Sequence, residues 1–165
     1  CEKNKAENNP NKPPLTPTQQ KETVNEEITL YFGDDQAEYL IPEQRIVQVE
    51  KNASDEKLVK VIIDELIAGP KDQSLRPTIP PEPRLLSVEI NNKIATLNFK
   101  EEIRTKHWGG SAGETMTITS IVNTVTELNS IEKVQILIEG EVQDSLIGHW
   151  YIGEPIERSE EIIKR

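Results

Sequence analysis

Large apolar side chains are scarce at the start of this chain and then recur with a period that changes along it. In residues 1–24 only Leu15 and Val24 are large and apolar, among Asn, Lys, Gln, Thr and the prolines Pro10, Pro13, Pro14 and Pro17. Such a segment cannot offset its ordering entropy by burial, so it reads as a flexible, partly polyproline-like tether. Near Glu26 the pattern becomes strand-like. "ITLYFGD" (Ile28 to Asp34) has β-rich composition and stops at a Gly-Asp turn. "AEYLIPEQRIVQV" (Ala37 to Val49) predicts one or two further short strands, with Pro42 confined to an edge, a bend or a strand start.

The spacing then turns helical. Ser54 is placed to N-cap a helix, Asp55 and Glu56 sit in its positive first turn, and Leu58, Val61, Ile62, Glu65 and Leu66 follow at helical intervals. Gly69 and Pro70 end it. After the proline-rich crossing "SLRPTIPPEP", "LLSVEI-NN-KIATLNF" predicts a hairpin turning at Asn91-Asn92, with Val88, Ile90, Ile94, Leu97 and Phe99 as apolar positions. A second helix is expected from about Ser111 to Asn129, because Ile118, Ile121, Val122, Val125 and Leu128 recur at three and four residues. Its threonines leave a strand alternative open, since "TMTIT" also alternates. "VQILIEG" predicts a buried strand, "LIGHWYIGEPI" one or two more, and the charged end "RSEEIIKR" is expected to fray. The order β-β-α-β-β-α-β-β implies an α+β fold, a mixed β-sheet with two helices packed on one face. The expected division is a tether over 1–24, a domain over 25–157 and a frayed tail over 158–165.

Charge narrows the range of partners. The chain carries 19 Lys+Arg against 29 Asp+Glu, a net charge of -10. Residues 1–24 hold four lysines and three glutamates, so the remainder carries -11. That balance excludes nucleic acid as a partner, whose binding rests on cationic contacts to phosphate, and argues against direct docking on anionic lipid headgroups. The sole cysteine, Cys1, has no internal disulfide partner. A chain without an initiator methionine is expected to have been cut, either by a signal peptidase or by other trimming.

Candidate chemistry is sparse. "GGSAG" (Gly109 to Gly113) fits the nucleophile-elbow pattern, and Asp144 and His149 follow Ser111 in the order acid then base. An elbow requires a strand running into the turn within a large parallel sheet, and too little chain follows for such a fold. Ser111-Ala112-Gly113-Glu114 also reads as a capping box opening the second helix, which explains Glu114 as well. His107 and His149 lack any zinc-site spacing, Asp34-Asp35 lacks a calcium register, and Glu139 with Glu141 reads as a solvated face. No catalytic residue, cofactor or metal is expected. Ile79 in the proline-rich crossing, with Trp150 and Tyr151, forms a candidate interaction surface for a protein partner; the alternative is that these residues cover the core.

Several stretches, taken in order, resemble the GerM family of sporulation and germination modules of Gram-positive bacteria. They are "ITLYFGD", "LVKVIIDELIAGP…LRPTIP", "VEINNKIATLNFKEEI" and "SAGETMTITSIVNTVTELNSIEKVQILIEGE", spanning about residues 26–155. The resemblance implies a small ring-building-like module in a secreted or lipid-anchored protein, with no known enzymatic activity and no catalytic residues to carry over. Some members have two modules and this chain has one. The combined expectation is a non-enzymatic, extracytoplasmic lipoprotein held on the membrane through lipidated Cys1 and binding other envelope proteins, in sporulation or germination. The alternative is an accessory domain for an extracytoplasmic ligand or a cell-wall glycan. A coil-like tether of this length has an r.m.s. reach of roughly 25–30 Å. Self-association is not legible in the sequence.

Overall fold

Residues 22–165 are described in a computed structural model of the chain; Cys1 and the expected tether up to Lys21 lie outside them, while Thr23 and Val24, expected in the tether, already pair with Glu50 and Val49 as strand. The first apolar runs form a long hairpin. β1 (Thr23–Gly33) and β2 (Leu40–Glu50) pair antiparallel from Thr23 opposite Glu50 to Gly33 opposite Leu40. The short strands expected around Pro42 are thus one continuous strand. Leu40 points its N–H and C=O away from β1, to Ile162 and Lys164, each at 2.8 Å. Alternation directs Pro42 outward too, so its missing N–H removes no hairpin bond.

α1 (Asp55–Ala68) forms as its local signals dictate. The Ser54 side chain accepts from the N–H of Lys57 at 3.3 Å, and Gly69 closes the helix at φ 94°. Its buried face is Val59, Ile62, Ile63, Leu66 and Ile67. β3 (Leu85–Asn91) and β4 (Ile94–Phe99) form the second hairpin. Its turn is one residue later than expected: Asn91 pairs with Ile94, and Asn92 and Lys93 take the two left-handed positions at φ 51° and 64°. That phase buries Ala95, Leu97 and Phe99 and leaves Ile94 half-buried. A helical turn absent from the sequence reading, α2 (Glu102–Thr105), follows. α3 (Gly110–Val125) is helical throughout, which resolves the "TMTIT" ambiguity. Its threonines return hydroxyl bonds to carbonyls one turn back, as Thr119 does to Thr115 at 2.6 Å.

β5 (Lys133–Ile138) pairs parallel with β4, while β6 (Glu141–Val142) and β7 (Ile156–Glu157) pair antiparallel with opposite ends of β5. The fold is therefore α+β with a mixed sheet, and the strands divide into the β1–β2 ribbon and a five-stranded sheet. α1 and α3 pack against each other and touch both sheets, α1 at β1, β2 and β3, α3 at β1 and β5. Phe32, Ile62, Leu66, Leu97, Phe99, Ile118 and Ile121 make the centre of the core they share. Among the described residues no helix is long and apolar enough to cross a membrane.

The expected fraying of residues 158–165 is corrected. Ile163 is buried with Tyr31, Leu40 and Met116. The Arg158 guanidinium lies over the Tyr31 ring, bonds the Tyr31 hydroxyl at 2.8 Å and pairs with Glu127 at 2.6 Å. Of the charges that suggested solvent, Arg158 is engaged by Tyr31 of β1 and by Glu127 just past α3.

Candidate functional site: the loops beyond β4 and β5

Because β4 and β5 run parallel, the chain leaves both at the same end of the sheet. Residues 100–109 and 139–155 therefore meet there, beside the first turn of α3. In sheets with parallel strands this carboxyl end is where function-bearing loops gather. Here it carries Trp108 and Tyr151, 40% and 59% exposed.

One buried and one half-buried side chain hold the loops. Glu114, in the first turns of α3, is fully buried. Its Oε1 accepts the N–H groups of Leu146 and Ile147 at 3.0 and 3.2 Å, and its Oε2 that of His149 at 2.9 Å. Arg104 of α2 grips the same loop through its carbonyls: Nε donates to Leu146 O at 3.0 Å, and Nη2 to Ser145 O at 2.9 Å and Gln143 Oε1 at 3.1 Å. Leu146 is thus fixed from both sides of its backbone by charge-assisted bonds.

His107 and Gly113 join the other loop to the helix. The Thr117 hydroxyl donates to Thr78 O at 2.6 Å, so the imidazole Nε2–H of His107 donates to Thr117 Oγ1 at 2.8 Å. Among the described residues Nδ1 of His107 is buried without a partner. Burial holds this imidazole below its ordinary pKa of 6.5, against the opposing pull of the Glu114 charge. Gly113 sits where a Cβ would stand 2.3 Å from the Trp108 carbonyl oxygen.

These contacts correct the reading of "GGSAG". The N-cap of α3 is Gly109, left-handed at φ 86°, with no side-chain cap. Ser111 lies inside the helix and is exposed, and Glu114 turns into the protein to hold a distant loop. The capping box is not formed, because the loop N–H groups compete for the carboxylate. Nor is the elbow: Ser111 follows no strand, and among the described residues no hydrogen bond joins it to Asp144 or His149.

The other sequence candidates separate. Ile79 is 1% exposed and packs in the core, so it offers no surface. Trp150 is half-buried against the core. Tyr151 is open, its ring folded over Gly153, where a Cβ would come within 2.4 Å of the hydroxyl. Trp108 is a surface aromatic absent from the sequence candidates, as is Tyr39 just before β2; the place of Trp108 next to a glycine pair heading a helix was the available signal. Elsewhere, a groove of about 350 Å³ between β2, α1 and β3 is lined by Val49, Ala53, Val61 and Val88 with Lys and Glu at its rim, and no aromatic borders it.

The described residues form an α+β domain whose interlocked loops beyond β4 and β5 expose Trp108 and Tyr151. The chain belongs to the Germane family, described as "Sporulation and spore germination", whose model matches residues 29–144. Its structure is similar to that of a candidate lipoprotein from Clostridium perfringens, at 31% identity and a TM-score of 0.57, over 81% of this chain and 87% of that one. It shares the fold of the first GerMN domain of the sporulation protein GerM from Bacillus subtilis, at 21% identity and a TM-score of 0.61, over 81% and 98% of the two chains. Against the tandem GerMN domains of that protein the identity is 20% and the TM-score 0.65, over 86% of this chain and 48% of the tandem. No curated protein matches this chain.

Proposed function

We propose that this chain is a non-enzymatic cell-envelope lipoprotein of a Gram-positive bacterium. Its domain lies outside the cytoplasm and binds another envelope protein through the loops beyond β4 and β5, in sporulation or spore germination. The observation that carries the reading is the family match over 29–144, joined to the likeness to the clostridial candidate lipoprotein. Exposed Trp108 and Tyr151 on loops locked from beneath support protein binding, since large aromatics on a rigid support are the usual anchors of an interface. The glycan alternative requires aromatics over a groove, and the groove described above has aliphatic walls.

In this reading Cys1 carries the lipid, since two or more buried acyl chains give stable attachment. The test is fractionation of cells expressing the protein from its own gene. The unchanged protein is expected with the membranes and Cys1→Ser in the medium. Membrane retention of Cys1→Ser contradicts the anchor.

A further inference from the structure

Two sheet edges in this domain are covered. On β1, the outward Tyr31 N–H donates to Thr124 Oγ1 at 3.1 Å and Gly33 exchanges bonds with Arg76. β5 is covered by β6 and β7. The outer edges of β2 and β3 are covered by no strand, and that of β2 is the longer. Alternation from the outward Leu40 directs the backbone N–H and C=O of Gln44, Ile46 and Gln48 away from β1, and nothing in the described chain bonds them. Ile46, at the centre, is 66% exposed, the most open large apolar residue described.

We propose that this edge pairs antiparallel with the same edge of a second copy of the chain, about a two-fold axis at Ile46. The occupant is argued from self-complementarity. The register sets Ile46 against Ile46, Gln44 against Gln48, Glu43 against Val49, Arg45 against Val47, and Glu50 against Pro42. No like charges face each other, although the described domain is strongly acidic. All three open residues become hydrogen-bonded pairs exchanging two bonds each. Recentring the axis on Arg45 would oppose two arginines, and moving toward Pro42 would lose donors. The only charge within 44–49, Arg45, is already engaged inside its own protomer by Glu43 and Glu65. The result is a four-stranded sheet, β1-β2-β2-β1, closed by symmetry so that it does not propagate. A seam of one strand pair falls at the low end of stable interface sizes, so the dimer forms reversibly with concentration.

The test uses the full chain with Cys1→Ser, which leaves no native thiol. Ile46→Cys in that background places two thiols in a narrow hydrogen-bonded pair, whose Cα separation suits a disulfide. Mild oxidation is expected to link Ile46→Cys into dimers well before Val142→Cys, an equally open control at 56% exposure. In parallel, the sedimentation coefficient of the Cys1→Ser protein should rise with concentration. That rise should be lost in Ile46→Pro and in Ile46→Lys, with far-ultraviolet circular dichroism unchanged, because the Ile46 N–H is not used within the protomer. Equal crosslinking of the two cysteine variants, or a strict monomer at high concentration, overturns the proposal. So does a rise that survives Ile46→Pro or Ile46→Lys, or capture of a foreign peptide strand by this edge in place of a second copy.

Discussion

The carboxylate of Glu114 and the backbone N–H of Leu146, 32 residues apart in sequence, meet at 3.0 Å in the protein interior. This one contact decides how α3 and the loop after β5 share a surface, because the same carboxylate also takes the N–H groups of Ile147 and His149. Glu114→Ala is expected to leave three loop donors without their acceptor and to cost about 3 kcal/mol of stability. Glu114→Gln keeps the size but turns an amide donor toward one of those N–H groups, and should cost slightly less. Urea denaturation of the two variants checks both the direction and the order.

Gly113 faces the Trp108 carbonyl oxygen, with room for hydrogen only. Gly113→Ala should therefore push the 107–109 segment off α3 and cost about 2 kcal/mol or more, as overpacking against backbone does. Gly110 is a control of the opposite kind: it has a left-handed φ of 60° but nothing within 4 Å of a Cβ. Gly110→Ala should cost only about 1 kcal/mol, through backbone strain. Thermal melts of the pair separate crowding from strain.

How far these contacts were legible in the sequence depends on how local they are. α1 was readable from Ser54 to Gly69 because its cap, its first-turn acids and its C-terminal glycine act within a few residues of one another. The stretch from Ser111 to Glu114 was misread because a capping box and an inward carboxylate share the same spelling. The choice between them is made by a loop beginning at Leu146. The terminal "RSEEIIKR" looked solvated for a similar reason: nothing near Arg158 in sequence announces Tyr31. Ile79 sits in a proline-rich stretch that reads as surface, yet the neighbouring Thr78 hydroxyl bonds the Ser120 hydroxyl of α3 at 2.6 Å, holding the crossing down on the core.

His107 gives the stability a pH dependence of known sign. Its native pKa is held below the ordinary 6.5, so the folded state refuses a proton that the unfolded state accepts. Its contribution is therefore constant above that value and is lost as pH falls below it. Between pH 7.5 and 5 the protein should lose stability more steeply than His107→Gln, which cannot titrate at this position. Parallel slopes in denaturation series of the two proteins would contradict the assignment.

Arg158 clamps the last residues to β1 and α3 through Tyr31, Glu127 and the carbonyl of Asn123 at 2.7 Å. Arg158→Ala is expected to cost about 2 kcal/mol by leaving these partly buried groups unpaired. It should also speed proteolysis of the end segment from residue 158 on, where limited proteinase K digestion followed by mass spectrometry reads its release. A tail that merely frayed would show neither effect.

The central claim is that the loops beyond β4 and β5 present Trp108 and Tyr151 to an envelope protein. Its most direct test is site-specific photo-crosslinking of the full chain in its own membranes, with the photoreactive residue at Trp108, at Tyr151, or at exposed Lys57 of α1 as a control. One discrete adduct, of the same partner, is expected from Trp108 and Tyr151, absent from Lys57 and weakened by Glu114→Gln. No adduct at either aromatic position, or the same adducts from all three positions, would contradict it.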